Sequence, residues 1–213
     1  MSADVSIVDY GSGNLFGLMR AFETIGATVN LTANAIEISA ANRLVLPGVG
    51  AFGRAAGALR GKGLFGAIQN FAHSGRPFLG ICVGMQLMMD HGTEFGHHEG
   101  LGLISGMVNP IPKQSAKGES HPVPHIGWSP IEPAAEDWSG TLLEGTTPGQ
   151  EMYFLHSFAA KPDAPSHILA NTTYNGCKIV GAIQSGNITG FQFHPEKSGK
   201  KGLAVLTRFL NRL

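Results

Sequence analysis

Cys82 stands between two glycines in Gly80-Ile81-Cys82-Val83-Gly84, directly after the apolar run Phe78-Leu79-Gly80-Ile81 and before a segment with helical spacing. The pattern G-x-nucleophile-x-G marks a sharp strand-to-helix turn that lifts the central side chain off the carboxyl edge of a sheet. Glycine is needed on both sides because such a turn leaves no room for side chains there. A thiol so placed is aimed at the positive end of the following helix, which favours thiolate over thiol. By itself the spacing fits a buried structural cysteine equally well. His194-Pro195-Glu196, which ends the apolar run Ile188–Phe193, supplies what a nucleophilic cysteine needs. An imidazole takes the thiol proton and later gives one to the leaving group, and a carboxylate two residues on orients the ring. Pro195 fixes the backbone between the two. Pro47-Gly48-Val49-Gly50 follows Leu44-Val45-Leu46, and its glycines would let a peptide unit turn an N–H toward an oxyanion. Taken singly, the last two motifs fit a strand end and an ordinary turn.

These residues need rigid elements to bring them together. Val5-Ser6-Ile7-Val8 predicts a buried strand, followed by the turn Asp9 to Asn14. The spacing of Leu15, Leu18, Met19, Phe22 and Ile25 predicts a helix stopped by Gly26. Strands are expected at Thr28–Thr32, Leu44–Leu46 and Phe78–Ile81, helices around Ala51–Arg60 and Leu64–His73, and the start of another helix from Met85 to Asp90. That alternation predicts βαβ units and a mostly parallel central sheet flanked by helices on both faces. From there the pattern changes to strands at Val123–Ile131, Glu151–Phe158, Ser166–Tyr174, Lys178–Gln184 and Ile188–Phe193. Asn175-Gly176 and Ser185-Gly186-Asn187 are tight-turn signals, so this half reads as an antiparallel extension. Leu203 to Leu213 reads as a closing amphipathic helix, and Pro110–Gly118 as a loop too short to link domains. One α/β domain over residues 1–213 is the expectation.

The 213 residues suffice for a real core, with about 9,400 Å² of surface expected for the folded chain. Fifteen basic against fifteen acidic residues leave no stripe to hold a phosphate backbone, so no nucleic-acid partner is expected. The composition is too apolar for disorder. Only 14% of the residues are charged, against roughly 25% in an average soluble domain, which suggests that a partner covers part of the surface. The longest apolar stretch, Phe78 to Met89, is interrupted by Gln86 and too short to span a bilayer. The first residues carry no basic segment of a signal peptide. With only Cys82 and Cys177 as cysteines, free thiols in a reducing, cytoplasmic setting are expected.

Together, the elbow GICVGMQ, the strand end PGVGAFG and the closing FQFHPEKSG resemble the class I (Cys-His-Glu) glutamine amidotransferases. More narrowly, DYGSGN, VPHIGW, EMYFLHSF and GNITGFQFHPEKSG resemble the glutaminase subunits of imidazole glycerol phosphate synthases, and the likeness spans essentially the whole chain. The resemblance implies a flavodoxin-like fold and hydrolysis of L-glutamine to glutamate and ammonia through a thioester on Cys82. His194 would be the general acid/base and Glu196 its orienter. Val49, Gly50 and Val83 would form the oxyanion hole, Val49 after a peptide flip. Gly48, Gln86, Glu94 and the backbone N–H groups of Ser157 and Phe158 would hold glutamine. Asn14, Trp128, Tyr153 and Lys197 would face a (β/α)₈-barrel synthase/cyclase subunit, which uses the ammonia to make imidazole glycerol phosphate and AICAR in histidine biosynthesis. No cofactor or metal is implied.

Two alternatives stay open at this stage. Relatives that feed ammonia to enzymes amidating surface-polysaccharide sugars share every catalytic motif, and Ser129 replaces the asparagine that commonly follows the HIGW segment. A docking or regulatory subunit with a degenerate site is the other, against which the intact Cys82, His194 and Glu196 weigh. His91 and His97-His98-Glu99 match no standard metal spacing, and Pro122 and Pro124 forbid the helix that would put His121 and His125 on one face. Gly11-Ser12-Gly13-Asn14 lacks the last glycine of a dinucleotide-binding loop. Cys177 reads as inert, and Met85, Met88 and Met89 as core.

Overall fold

A computed structural model describes residues 3–212. The chain runs β1 (Val5–Val8), α1 (Leu15–Thr24), β2 (Val29–Thr32), α2 (Ala35–Ala40), β3 (Leu44–Leu46), α3 (Phe52–Gly61), α4 (Phe65–Ala72), β4 (Phe78–Ile81) and α5 (Val83–Gln86). It continues through β5 (Met89–Gly92), β6 (His98–Glu99), β7 (Ile104–Pro110), β8 (His125–Pro133), β9 (Gln150–His156), β10 (Phe158–Pro162), β11 (Ile168–Tyr174), β12 (Cys177–Ser185), β13 (Ile188–Phe191) and α6 (Gly199–Asn211). The main sheet has nine strands in the order β2-β1-β3-β4-β13-β12-β11-β8-β9. Its first five strands are parallel, and the remaining four continue it antiparallel. The α/β expectation with an antiparallel extension is therefore borne out.

Helices on both faces leave β1, β3, β4 and β13 buried at every residue, which is why these strands read as continuous apolar runs. The parallel pairing of β4 with β13 sets Gly80 opposite Gly190 and Ile81 opposite Phe191. The strand that delivers Cys82 and the one that delivers His194 are thus neighbours with their carboxyl ends level, although 112 residues separate the two in sequence. The folded chain exposes 9399 Å², close to the value that its mass predicts.

Several elements depart from their sequence reading. The segment Met85 to Asp90 does not continue as a helix, because Leu101 N–H takes the Leu87 carbonyl and Gly102 N–H the Met89 carbonyl. Met89 then pairs with Ile104, and β5 joins β7, β6 and β10 in a second, four-stranded sheet. The single strand expected over Glu151–Phe158 is two, since β9 edges the main sheet, β10 edges the second, and Ser157 is the crossing. Val123 and the two prolines flanking it lie outside β8, which begins at His125. A 3₁₀ turn over Pro165–His167 precedes β11, and β13 stops at Phe191, short of the expected Phe193. The closing helix starts at Gly199, earlier than expected, and the last residue of the sequence reading, Leu213, lies outside the described residues. Gly202 lets α6 pack against the turn after His194, where a Cβ would fall on the Pro195 carbonyl.

Candidate active site

Cys82 occupies the turn between β4 and α5 with φ 54 and ψ −113, a left-handed conformation that costs a non-glycine residue energy and persists only where its surroundings enforce it. Its N–H donates to the Phe191 carbonyl at 2.7 Å, extending the β4–β13 ladder by one bond. Gly84 lets α5 approach β3 so closely that a Cβ there would fall on the Leu46 carbonyl, and a Cβ at Gly80 would lie 2.7 Å from the Met88 methyl. The two glycines therefore have the steric role that the motif suggested.

His194 precedes the 3₁₀ turn Pro195–Lys197, and its Nδ1 lies 2.9 Å from Glu196 Oε1. A carboxylate only accepts, so Nδ1 carries hydrogen and Nε2 is left for chemistry. Nε2 is buried on the side of Cys82 and, among the described residues, bonds no nitrogen or oxygen. Burial alone would push the imidazole down, but the neighbouring Cys82 and Glu196 side chains outweigh it and raise its pKa to about 10. Burial likewise acts to raise the Glu196 carboxyl, yet His194 and the Asn14 amide hold it below its ordinary value. Asn14 Nδ2 donates to Glu196 Oε1 at 3.1 Å. Asn14, expected to face a partner, thus contacts the acidic end of this group. The space for its amide depends on Gly17, where a Cβ would lie 2.4 Å or more from the three terminal amide atoms but within 2.8 Å of all of them.

Cys82 and His194 both line a cavity of about 390 Å³, a volume in the usual range for small ligands. Val49, Gly50, Val83, Gln86, Glu94, Ser157 and Phe158 also line it, so the structure gathers around one space most of the residues singled out for glutamine and its oxyanion. Gly48 sits just behind, where a Cβ would meet Val83 Cβ at 2.7 Å.

The family model for glutamine amidotransferase class-I matches residues 6–213. The chain belongs to that family. It is 48% identical over 210 residues to "Imidazole glycerol phosphate synthase subunit HisH 1" of Legionella pneumophila (strain Lens), covering 98% of this chain and 99% of that one. It is 40% identical over 205 residues to the HisH subunit of Rhodopirellula baltica, covering 96% of each. Among solved structures, one titled "Crystal structure of glutamine amidotransferase" superposes with a TM-score of 0.72 at 15% identity over 97% of each chain, a likeness of fold.

The details of this amidotransferase's cavity refine the sequence reading. The Val49 N–H does not point at Cys82: it lies 3.4 Å from Ser12 Oγ, whose hydroxyl donates to the Val49 carbonyl at 2.7 Å. The 47–50 segment is therefore latched outward to the turn after β1. Val83 N–H, in contrast, belongs to the first turn of α5, which leaves it without an intrahelical acceptor. One Glu94 oxygen accepts from Phe52 N–H at 2.8 Å, tying the cavity wall to the start of α3. Trp128 and Tyr153 are cross-strand partners on β8 and β9 with rings 6.0 Å apart, and Lys197 Nζ lies 5.7 Å over the Tyr153 ring. Trp128 and Ile126 remain about half exposed, so three of the four residues expected to meet a partner form one surface cluster beside the cavity.

Sequence reasoning gave no role to a buried polar chain behind the cavity. His156 Nδ1 bonds the Phe158 carbonyl at 2.9 Å, His156 Nε2 bonds His125 Nδ1 at 3.0 Å, and His125 Nε2 bonds Ser129 Oγ at 2.8 Å. Burial holds both imidazoles neutral, with pKa values lowered to about 3 for His156 and about 4 for His125. The signal that would have found them is a histidine at a buried, inward position of each of two adjacent strands. His91 in β5 and His97 just before β6 have ring centres 4.5 Å apart at a tilt of 38°, but no cluster of three or more His, Cys, Asp or Glu suited to a metal occurs among the described residues.

Proposed function

We propose that this chain is the glutaminase subunit of an imidazole glycerol phosphate synthase, acting as a single domain in the cytoplasm. The observation that carries the reading is the strained Cys82 on the wall of a cavity shared with His194, whose ring is already set by Glu196. Cys82, as thiolate, attacks the side-chain carbonyl carbon of glutamine. The oxyanion so formed is held by the Val83 N–H and, once the 47–50 segment turns inward, by that of Val49. His194, as imidazolium, gives its proton to the departing nitrogen, and ammonia leaves as the thioester forms. Water then attacks the thioester while His194 takes its proton. Collapse expels glutamate and restores the thiolate–imidazolium pair. Gln86 holds the substrate's side-chain amide, Glu94 its α-amino group, and the N–H groups of Ser157 and Phe158 its carboxylate.

Ammonia is protonated in water near neutral pH and is then no nucleophile, so it must travel by a sheltered path to a second chain. A (β/α)₈ barrel carrying the synthase site, docked on the Trp128–Tyr153–Lys197 cluster, fits this need. Names shared by the 40–48% identical relatives support the histidine pathway over sugar amidation. Among the described residues no helix is long and apolar enough to cross a membrane. The test is to supply glutamine, the barrel subunit and either the histidine-pathway ribonucleotide or an activated sugar. Imidazole glycerol phosphate should form, and Cys82→Ala should abolish its formation from glutamine while sparing that from added ammonium salt. An aminated sugar instead would overturn the pathway.

A further inference from the structure

Gln192 is fully buried, lying between Phe191 and Phe193, whose rings stack 4.7 Å apart. Desolvating an amide in such a setting is costly unless each polar atom is bonded. Its side chain spends its bonds in one direction only. Oε1 accepts from Gln86 Nε2 at 3.0 Å, and Nε2 points at Cys82 Sγ at 3.7 Å.

The sense of these bonds is fixed by a carbonyl that can only accept. Phe158 O takes a hydrogen from Gln86 at 2.8 Å, so the Gln86 atom there is its NH₂ group. The same NH₂ meets Gln192, which must therefore answer with its oxygen and turn its own NH₂ toward the sulfur. The other lone pair of Phe158 O is occupied by His156 Nδ1–H, anchored through His125 to Ser129. Swapping the Gln86 amide end for end would set its oxygen against two carbonyl oxygens, and swapping that of Gln192 would set NH₂ against NH₂. Besides His194, the sulfur meets the Leu155 carbonyl at 3.7 Å, which can accept from a thiol but offers nothing to a thiolate.

We infer that Gln192 is a dedicated hydrogen-bond donor to the Cys82 thiolate, held in that orientation by Gln86 and the Phe158 carbonyl. This rests on the reading of Cys82 as nucleophile. It also limits Gln86, whose NH₂ is committed internally, to meeting glutamine through its oxygen as an acceptor.

The test follows iodoacetamide alkylation of the Cys82 peptide against pH in the full chain, for wild type, Gln192→Met and Gln192→Glu. Methionine keeps the volume without a donor, and glutamate keeps the shape while adding an acceptor and a charge. The other ionisable groups meeting the sulfur or its cavity are His194, His156, Glu94 and Tyr10, and all are unchanged in both variants. The midpoint of the alkylation profile should rise by about one pH unit in Gln192→Met and further in Gln192→Glu, so rates below the midpoint fall about tenfold while the alkaline plateau is kept. Midpoints that stay at the wild-type value, whether rates are equal or scaled down alike at every pH, overturn the assignment. A wild-type Cys82 reacting no faster near neutral pH than an ordinary thiol would overturn the nucleophile reading itself.

Discussion

At Gly17 a single methyl group decides whether Asn14 reaches Glu196, since the amide fills the space a Cβ would take. Gly17→Ala touches no substrate atom, yet it should displace the amide and lower kcat about tenfold with little change in KM, as steady-state glutaminase assays with the partner present would show. An unchanged kcat would reduce Asn14 to a surface role. His194 gives the pH dependence its sign. A pKa raised to about 10 means that the imidazolium, which in the proposed mechanism protonates the departing nitrogen, is full at neutral pH and is lost only as pH rises through that value. Glu196→Gln removes the carboxylate that helps raise it, so the alkaline limb of the kcat profile should move toward neutrality. A limb that stays in place would show that Glu196 does not sustain the charge.

Among the elements, those legible in the sequence are those whose own pattern decides them. The buried parallel strands and α1 follow from local apolar spacing, and Asn175 and Gly176, at φ 48 and 79, form the hairpin turn that their types demand. The β5 strand was not legible, because what ends α5 is a set of N–H groups arriving from residues 101 and 102. The grouping of Cys82, His194 and Glu196 was legible because each belongs to a motif after a strand, and those two strands are neighbours in the sheet. Gln192 was not, because its role depends on Gln86 and Phe158, which sequence does not place beside it. The Tyr10 hydroxyl bonds the Pro47 carbonyl, and among the described residues Ser12 is the side chain that bonds Val49 and holds it outward. Ser12→Ala should therefore raise glutamine hydrolysis by the isolated chain several-fold, and a rate no higher than wild type would remove Ser12 as the latch. The β8–β9 histidines set an acid limit. Both are neutral in the fold with lowered pKa values but protonate when unfolded, so their stabilisation is complete above about pH 6.5 and drains as pH falls toward 4. Urea unfolding should take up as many as two protons from this pair over that range, an uptake absent in a His125→Gln, His156→Gln double variant.

Over the whole molecule, the switch from parallel to antiparallel pairing within one sheet sets the cavity beside the exposed aromatic edge. β13 is the last parallel strand and bears His194 at its end, and β9 closes the antiparallel half with Tyr153 on its surface and Ser157 at the cavity. His194 N–H donates to the Tyr153 carbonyl at 2.8 Å, so the proposed partner face and the proposed acid/base residue share a backbone bond. A subunit docked on Trp128 and Tyr153 would bear directly on that bond. The most direct measurement is intact mass of the chain quenched during turnover with glutamine, the barrel subunit and its ligand. A γ-glutamyl adduct that maps to Cys82 and forms and decays at rates matching kcat is the expected result. Full turnover with Cys82 unmodified throughout, or with the adduct on another residue, would contradict it.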